Sequence, residues 1–455
     1  MDNNSIFTSA KPSSALAKMA LPTVASQVII LIYNLADTWF IGRTNDPNMI
    51  GASSIALTVY LAAVALANVF GVGGGALMAR LIGEKKEEDA RRVASYTLTS
   101  CTIAAVVFSL LVLAFADPIL HFLGADDSTI NYGRQYLITT TVIGGLPTIL
   151  SMCMPQLLRN SGFSMSAGVG VAIGSAANVL LDPLFMFVIL PPGYEVLGAG
   201  IATAISNFIS LIFFIIMFIR VKDKSVLRIP RKLEKIGPEN LRSFYTVGIP
   251  AAIAVFLFDL VTIVLNKLVV GYGNVPLAAM GIVLKLERLP INIGLGVCLG
   301  MVPLVSYNYG SKDRERMSKF VSLARIVILV FSALCAVLFF FFADSIVGIF
   351  INDEETVRYG AKFLRGRCFS LPFMMIGYHV VNYMNAVNKG MISFILAIIR
   401  HIVLIIPIML IMNAVWQLDG LVWSQLAADV LNSAAALVIF RKVNGQICGN
   451  MQAKA

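Results

Sequence analysis

Hydrophobic and polar positions in this chain fall into long blocks rather than into the alternating faces of a soluble fold. Pro47 to Ala79 contains no charged residue at all. A membrane-spanning helix needs about 20 mostly apolar residues, so this run predicts one span with length to spare. Reading the other runs the same way predicts twelve spans, at roughly 15–42, 50–80, 93–116, 134–158, 163–190, 197–220, 242–271, 276–309, 320–343, 359–387, 391–414 and 420–440. Twelve is even, so both ends of the chain are expected on one side.

The connections between spans test this count independently. One set contains Lys11, Lys18, EKKEEDARR (84–92), Arg159, the long stretch 221–242, SKDRERMSK (311–319), Lys389, Arg441 and Lys442. The other set is RTNDPN, DPILHFLGADD, PPGYEVLG, YGNVP, DSIVGIFINDEE and WQLDG, whose Lys and Arg residues amount to Arg43 alone. Basic residues collect in cytoplasmic loops, which places both termini in the cytoplasm. A miscounted span would have scrambled the alternation.

The two halves repeat. Ala116-Asp117 through Tyr132-Gly133 aligns without a gap on Ala343-Asp344 through Tyr359-Gly360. Weaker echoes are Leu21-Pro22 to Gly42 against Ile249-Pro250 to Gly271, and Gly83-Glu-Lys against Gly310-Ser-Lys. The expected fold is therefore an all-α polytopic membrane protein of two pseudo-symmetric six-helix lobes, 1–220 and 242–455, joined by a basic cytoplasmic linker, 221–241. Repeated lobes with a site at their interface are a transporter architecture.

Composition agrees. Hydrophobic residues make up 58% and charged residues 13%, with a mean hydropathy of +0.82, against about 25% charged in soluble domains. The net charge of +10 is segregated into loops, so it argues against nucleic-acid binding. The six cysteines form no CxxC pair and the three histidines are scattered, so neither a disulfide framework nor a metal site is expected. The N-terminal MDNNSIFTSAKPSSALAK lacks the apolar core of a signal peptide. No GxxxxGK[ST], HExxH or GxSxG occurs, so no cofactor and no enzymatic reaction is expected, and uphill transport would draw on an ion gradient. Gly71-Val-Gly-Gly-Gly75, in mid-span, reads as a close-packing surface rather than a phosphate cradle.

Ionisable groups inside spans mark function by default. Asp37 and Asp182 form the leading pair, each on the order of 8–14 Å below the outer surface. Asn178 lies one turn before Asp182, Tyr33 and Asn34 one turn before Asp37, and Thr203 and Asn207 face together from the sixth span. A carboxylate withdrawn from water is a group suited to loading and releasing protons. Pro22 and Pro183 free the carbonyls of Lys18 and Val179, allowing a bend or polar coordination. In the second half, Lys285, Glu287 and Arg288 indicate either a wet cavity or an internal ion pair. Asp259 either attracts a cationic substrate or pairs with Lys267 or Arg288. His379, with Asn382 and Asn385, forms a polar stripe of the kind that packs helices, and Arg400 and His401 read as snorkelling side chains. Asp259, Glu287, Arg288 and His379 are together the candidates for a substrate cavity.

Taken in order, Leu21-Pro22 with Asp37-Thr-Trp-Phe-Ile-Gly42, Asn68 to Ala76, Asn178-Val-Leu-Leu-Asp182-Pro183, Gly198 to Asn207 and Val302-Pro303 to Asn308 make the chain resemble the multidrug and toxic compound extrusion (MATE) family, in its MepA-like and DinF-like bacterial branch. The resemblance covers about residues 13–442. It implies two six-helix bundles, alternating access, and export of diverse, often cationic, drugs in exchange for H+ or Na+. Ion-coupling roles carry to Asp37, Asn178 and Asp182, and a bending role to Pro22. Sodium-coupled relatives place acids on the seventh and tenth spans; here Asp259 falls near the first, while the tenth offers His379. The expected setting is a multi-pass monomer in the bacterial inner membrane. A lipid-linked oligosaccharide flippase of the same superfamily is the alternative.

Overall fold

The computed structural model describes residues 4–44, 46–230 and 234–452, and all regular structure among them is helical. A short α1 (Asn4–Thr8) is followed by α2 (Pro12–Gly42), α3 (Pro47–Gly83), α4 (Glu87–Ala114), α5 (Ala116–Phe122), α6 (Ile130–Leu137), α7 (Gly145–Asn160), α8 (Ser164–Leu184) and α9 (Glu195–Val221). The rest comprises α10 (Pro238–Val270), α11 (Asn274–Gly310), α12 (Arg314–Phe341), α13 (Ala343–Gly348), α14 (Glu354–Arg367), α15 (Leu371–Ala386), α16 (Gly390–Ile398) and α17 (Ile406–Gln452). Wide π turns at Ile138–Ile143, Phe185–Ile189 and Ile399–Ile405 adjoin α6, α8 and α16, and a 3₁₀ turn at Cys368–Ser370 joins α14 to α15.

Among the described residues, nine helical stretches are long and apolar enough to cross a membrane, or ten if Ile130–Ile143 and Gly145–Asn160, bent by 52°, form one span. Two features separate this number from the twelve runs read in the sequence. The stretch Gly390–Ile447 covers two of them and is broken by non-helical backbone at Gln417 (φ 50°, ψ −132°). The run 359–387 is divided by the 3₁₀ turn into the charge-rich α14 and α15, which is only 16 residues long.

The chain forms two compact units, Met1–Ser9 with Ala25–Ala252, and Ala10–Val24 with Ile253–Ala455. The breaks fall between α1 and α2, inside α2 and inside α10, and the basic segment 221–241 precedes the last of them. Within that segment Val221 closes α9, Val226 and Leu227 are buried in the first unit's core, and α10 begins at Pro238; 231–233 lie outside the described residues. Asn45 of the 43–48 connection lies outside them too.

In the first unit the apolar core has two clusters. One contains Phe70, Leu77, Leu98, Leu157, Phe214 and Phe244, and the other Ile41, Val59, Val112, Leu120, Met186 and Val196. Along α3, α8 and α9 the polar positions Tyr60, Asn178, Asp182, Thr203 and Asn207 fall between the stretches that supply these clusters. On α4 the outer positions Ile103, Val106, Val107, Leu110 and Leu113 are exposed while Leu98, Cys101 and Ala105 are buried. An apolar stripe on the exposed face suits lipid, which, unlike water, imposes no penalty on it.

In the second unit α11 is the most deeply enclosed long helix. It approaches the first half of α2 at glycine: a Cβ on Gly300 would stand 2.6 Å from Ala20 Cα, and one on Gly296 2.7 Å from Val24 Cα. Helix ends repeat between the halves. After α3, Lys85 is left-handed (φ 60°) and the Lys86 amide donates to Leu81 O at 2.9 Å; after α11, Lys312 is left-handed (φ 61°) and the Asp313 amide donates to Asn308 O at 3.0 Å. The faint echo Gly83-Glu-Lys against Gly310-Ser-Lys is thus one C-terminal capping motif used twice. The ungapped repeat likewise gives matching bends, at Phe115 (φ −119°, ψ 23°) and Phe342 (φ −106°, ψ 17°).

Candidate functional site

Between the two apolar clusters of the first unit, six elements contribute side chains to one polar pocket. Asp182 is fully buried on α8, with Asn178 one turn earlier and equally enclosed. Asn178 Nδ2 donates to Thr203 Oγ1 at 3.3 Å, tying α8 to α9. Asn207, one turn beyond Thr203, donates from Nδ2 to Thr148 Oγ1 on α7 at 2.9 Å and accepts from Ser151 Oγ at 3.4 Å.

Asp37 comes in from α2. Its carboxylate is half-buried, Oδ1 has no hydrogen-bond partner among the described residues, and it lies within electrostatic reach of Asp182. The phenol of Tyr33, one turn earlier, lies in the field of both acids. Asn34 is exposed, and its carbonyl accepts from Thr38 Oγ1 at 2.8 Å. Pro22 stands elsewhere, in the part of α2 that packs with the second unit's α11.

Two tyrosines complete the pocket that a search for charges could not find. Tyr60 on α3 interacts with Asn207 and Tyr33, and Tyr136 on α6 with Thr203. Both are in the field of Asp37. Neutral polar residues are common in spans, so only their convergence singles them out. A weak linear signal exists at Thr139-Thr140-Thr141: all three are buried on the π turn after Tyr136, and such turns concentrate at functional sites.

In the second unit the charges of α11 divide between a buried ion pair and exposed positions. Glu287 is buried and pairs with Arg367 of α14, 80 residues away, with Nε and Nη2 each donating to a carboxylate oxygen at 2.8 Å. The neighbours Lys285 and Arg288 are exposed, as is Lys267. Arg288 lies over the Phe258 ring at 6.0 Å and within the field of the half-buried Asp259. His379 is buried, with Nε2 3.0 Å from Val321 O and its ring beside Phe440. It joins α12, α15 and α17 and does not line the cavity that Glu287 and Arg288 line.

Arg400 and His401 correct the snorkelling expectation. Consecutive yet both buried, they occupy the π turn Ile399–Ile405, which widens the helix. Arg400 Nε donates to Asp429 Oδ1 at 2.9 Å, Gln425 Nε2 donates to Asp429 Oδ2 at 2.6 Å, and the guanidinium stacks on Tyr378 at 5.0 Å.

Long apolar helices, an exposed apolar face and carboxylates gathered near the C-terminal ends of α2 and α8 define a polytopic membrane protein with an enclosed polar site. Comparison with known proteins makes the family definite. The MatE profile matches the chain twice, over residues 22–184 and 250–411, and the chain belongs to the MatE family. It is 31% identical over 435 residues to the multidrug export protein MepA of Staphylococcus saprophyticus, covering 95% of this chain and 94% of that one. It is 32% identical over 427 residues to the protein of the same name from Staphylococcus aureus, covering 93% and 92%. Among solved structures, a MATE crystal structure in complex with MaL6 superposes with a TM-score of 0.92 at 20% identity, covering 98% of this chain and 99% of that one.

Proposed function

We propose that this chain is a secondary active antiporter that exports diverse cationic or amphipathic drugs in exchange for H+. It works by alternating access as a monomer in the bacterial inner membrane, with twelve crossings, two six-helix lobes and both termini cytoplasmic. Drug export rests on the relatives' name, multidrug export protein, at 31–32% identity over more than nine-tenths of each chain. Proton coupling rests on one observation: Asp182, fully buried, shares a pocket with Asp37 among tyrosine, threonine and asparagine side chains.

Two acids enclosed among neutral groups are held at far lower cost when protonated than as bare charges. In the proposed cycle, proton loading of Asp37 and Asp182 and occupancy by a cationic drug exclude one another. Asn178 and Thr203 hold the α8 face in place, and Tyr33, Tyr60 and Tyr136 supply hydroxyls to the carboxylates' surroundings. Bending of α2 at Pro22 would move Asp37 relative to α8.

The test is cationic-dye transport in proteoliposomes under an imposed pH or sodium gradient, with wild type, Asp37→Asn and Asp182→Asn. The pH gradient alone should drive uptake, and each substitution should abolish coupling while dye binding survives. Sodium-driven uptake, or normal transport in both variants, would move the coupling site elsewhere, with Asp259 next to test. No dye movement under any gradient would turn the reading to the flippase.

A further inference from the structure

The charged cavity of the second unit shares no lining residue with the carboxylate pocket of the first. Arg288, Arg367 and Arg400 line it, together with the apolar Phe258, Ile291 and Met374. Which hydrogen-bonding valences are filled decides what it can hold. Both Glu287 oxygens accept from Arg367, and both Asp429 oxygens are taken, by Arg400 and Gln425. Every carboxylate oxygen of the two acids thus already meets a donor, and each acid's charge is balanced by its own arginine.

The donors are in the opposite state. Arg400 uses Nε on Asp429 and Nη1 on Tyr378 Oη at 3.3 Å and His401 Nε2 at 3.2 Å. Because arginine only donates, His401 Nε2 accepts, Nδ1 carries the hydrogen to Ala397 O at 2.9 Å, and the imidazole is neutral. Among the described residues Arg400 Nη2 and Arg367 Nη1 meet no acceptor, and the exposed Arg288 guanidinium is in no ion pair. The cavity therefore has open N–H donors on guanidinium groups and apolar wall around them. Their complement is an oxyanion, and a carboxylate, carried on carbon, suits charged donors set in an apolar wall. At about 60 Å³ the cavity takes such a head group and not a drug-sized body.

We infer that this cavity binds the carboxylate group of an organic acid through the open N–H donors of Arg367 and Arg400, with Arg288 at its exposed edge. The site takes the charge opposite to that of the cationic drugs proposed above. It is built wholly from second-unit residues, and it stands or falls independently of proton coupling.

The experiment titrates purified full-length protein in detergent with sodium acetate, sodium hexanoate or hexanol at constant sodium concentration and reads the unfolding midpoint, because a ligand of the folded state raises it. Hexanoate should raise the midpoint saturably and hexanol should not. Arg288→Ala, on an exposed side chain, and the paired replacement Arg400→Met with Asp429→Leu, which leaves no buried charge alone, should each weaken the response by about tenfold or more. Acetate matching hexanoate assigns the site to free small anions, and hexanoate binding more tightly assigns it to amphiphile head groups; both keep the carboxylate site. No saturable shift with either salt, hexanol acting like hexanoate, or identical curves for wild type and Arg288→Ala overturns it.

Discussion

Glu287 and Arg367 form a two-point, fully buried ion pair between α11 and α14, at 2.8 Å for each hydrogen bond. Removing one partner from such a pair strands the other charge, which costs about 3–5 kcal/mol, whereas replacing both with apolar groups of similar volume is close to neutral or better. Arg367→Leu should therefore lower the unfolding free energy by about that amount, and Glu287→Leu with Arg367→Leu should recover most of it. Denaturant unfolding in detergent measures both. Equal destabilisation by the single and double replacements would show that the pair is not a unit.

Tyr136→Phe keeps the ring in the first unit's core and deletes only the hydroxyl that meets Thr203. One hydrogen bond is worth about 0.5–1.5 kcal/mol, so pH-gradient-driven dye uptake should fall severalfold while the protein stays folded. Tyr60→Phe, which loses contact with Asn207 and Tyr33, should behave alike. Uptake at the wild-type rate in both variants would remove the tyrosines from the coupling pocket.

Lys85 and Lys312 hold the left-handed conformation that glycine adopts without strain. That conformation costs a side-chain-bearing residue roughly 1–2 kcal/mol, partly offset by glycine's larger entropy loss on folding. Lys85→Gly and Lys312→Gly should each stabilise by about 0.5 kcal/mol. Gly162, left-handed (φ 88°) after α7, should show the reverse when changed to Ala. Thermal unfolding resolves the sign, and destabilised lysine variants would mean that the lysine side chains do more than occupy a turn.

Gly300→Ala would drive a methyl group into the Ala20 backbone, which cannot move aside as a flexible side chain would. A loss of roughly 1–3 kcal/mol is expected. Gly281, on the same helix with nothing within 4 Å of an added Cβ, is the control, and Gly281→Ala should be neutral or gain up to about 1 kcal/mol. Equal unfolding midpoints for the two variants would refute the close approach of α11 and α2.

Read as a line of residues, the chain determines its own class. Uncharged runs such as Pro47–Ala79 have to be helical, because only helices satisfy every backbone group of a single segment out of water. The repeat around Asp117 and Asp344 and the acids at 37, 182 and 287 were legible for the same reason: charge and repetition stand out against an apolar background. Pairings were not legible. Arg367 answers Glu287 across 80 residues and Arg400 answers Asp429 across 29, and Tyr60 and Tyr136 reach the pocket from two further helices. Such contacts depend on how each helix is rotated about its axis and which neighbour it meets. Hydropathy carries neither quantity, because lipid accepts any apolar face, so only the packed structure decided which polar groups share a site.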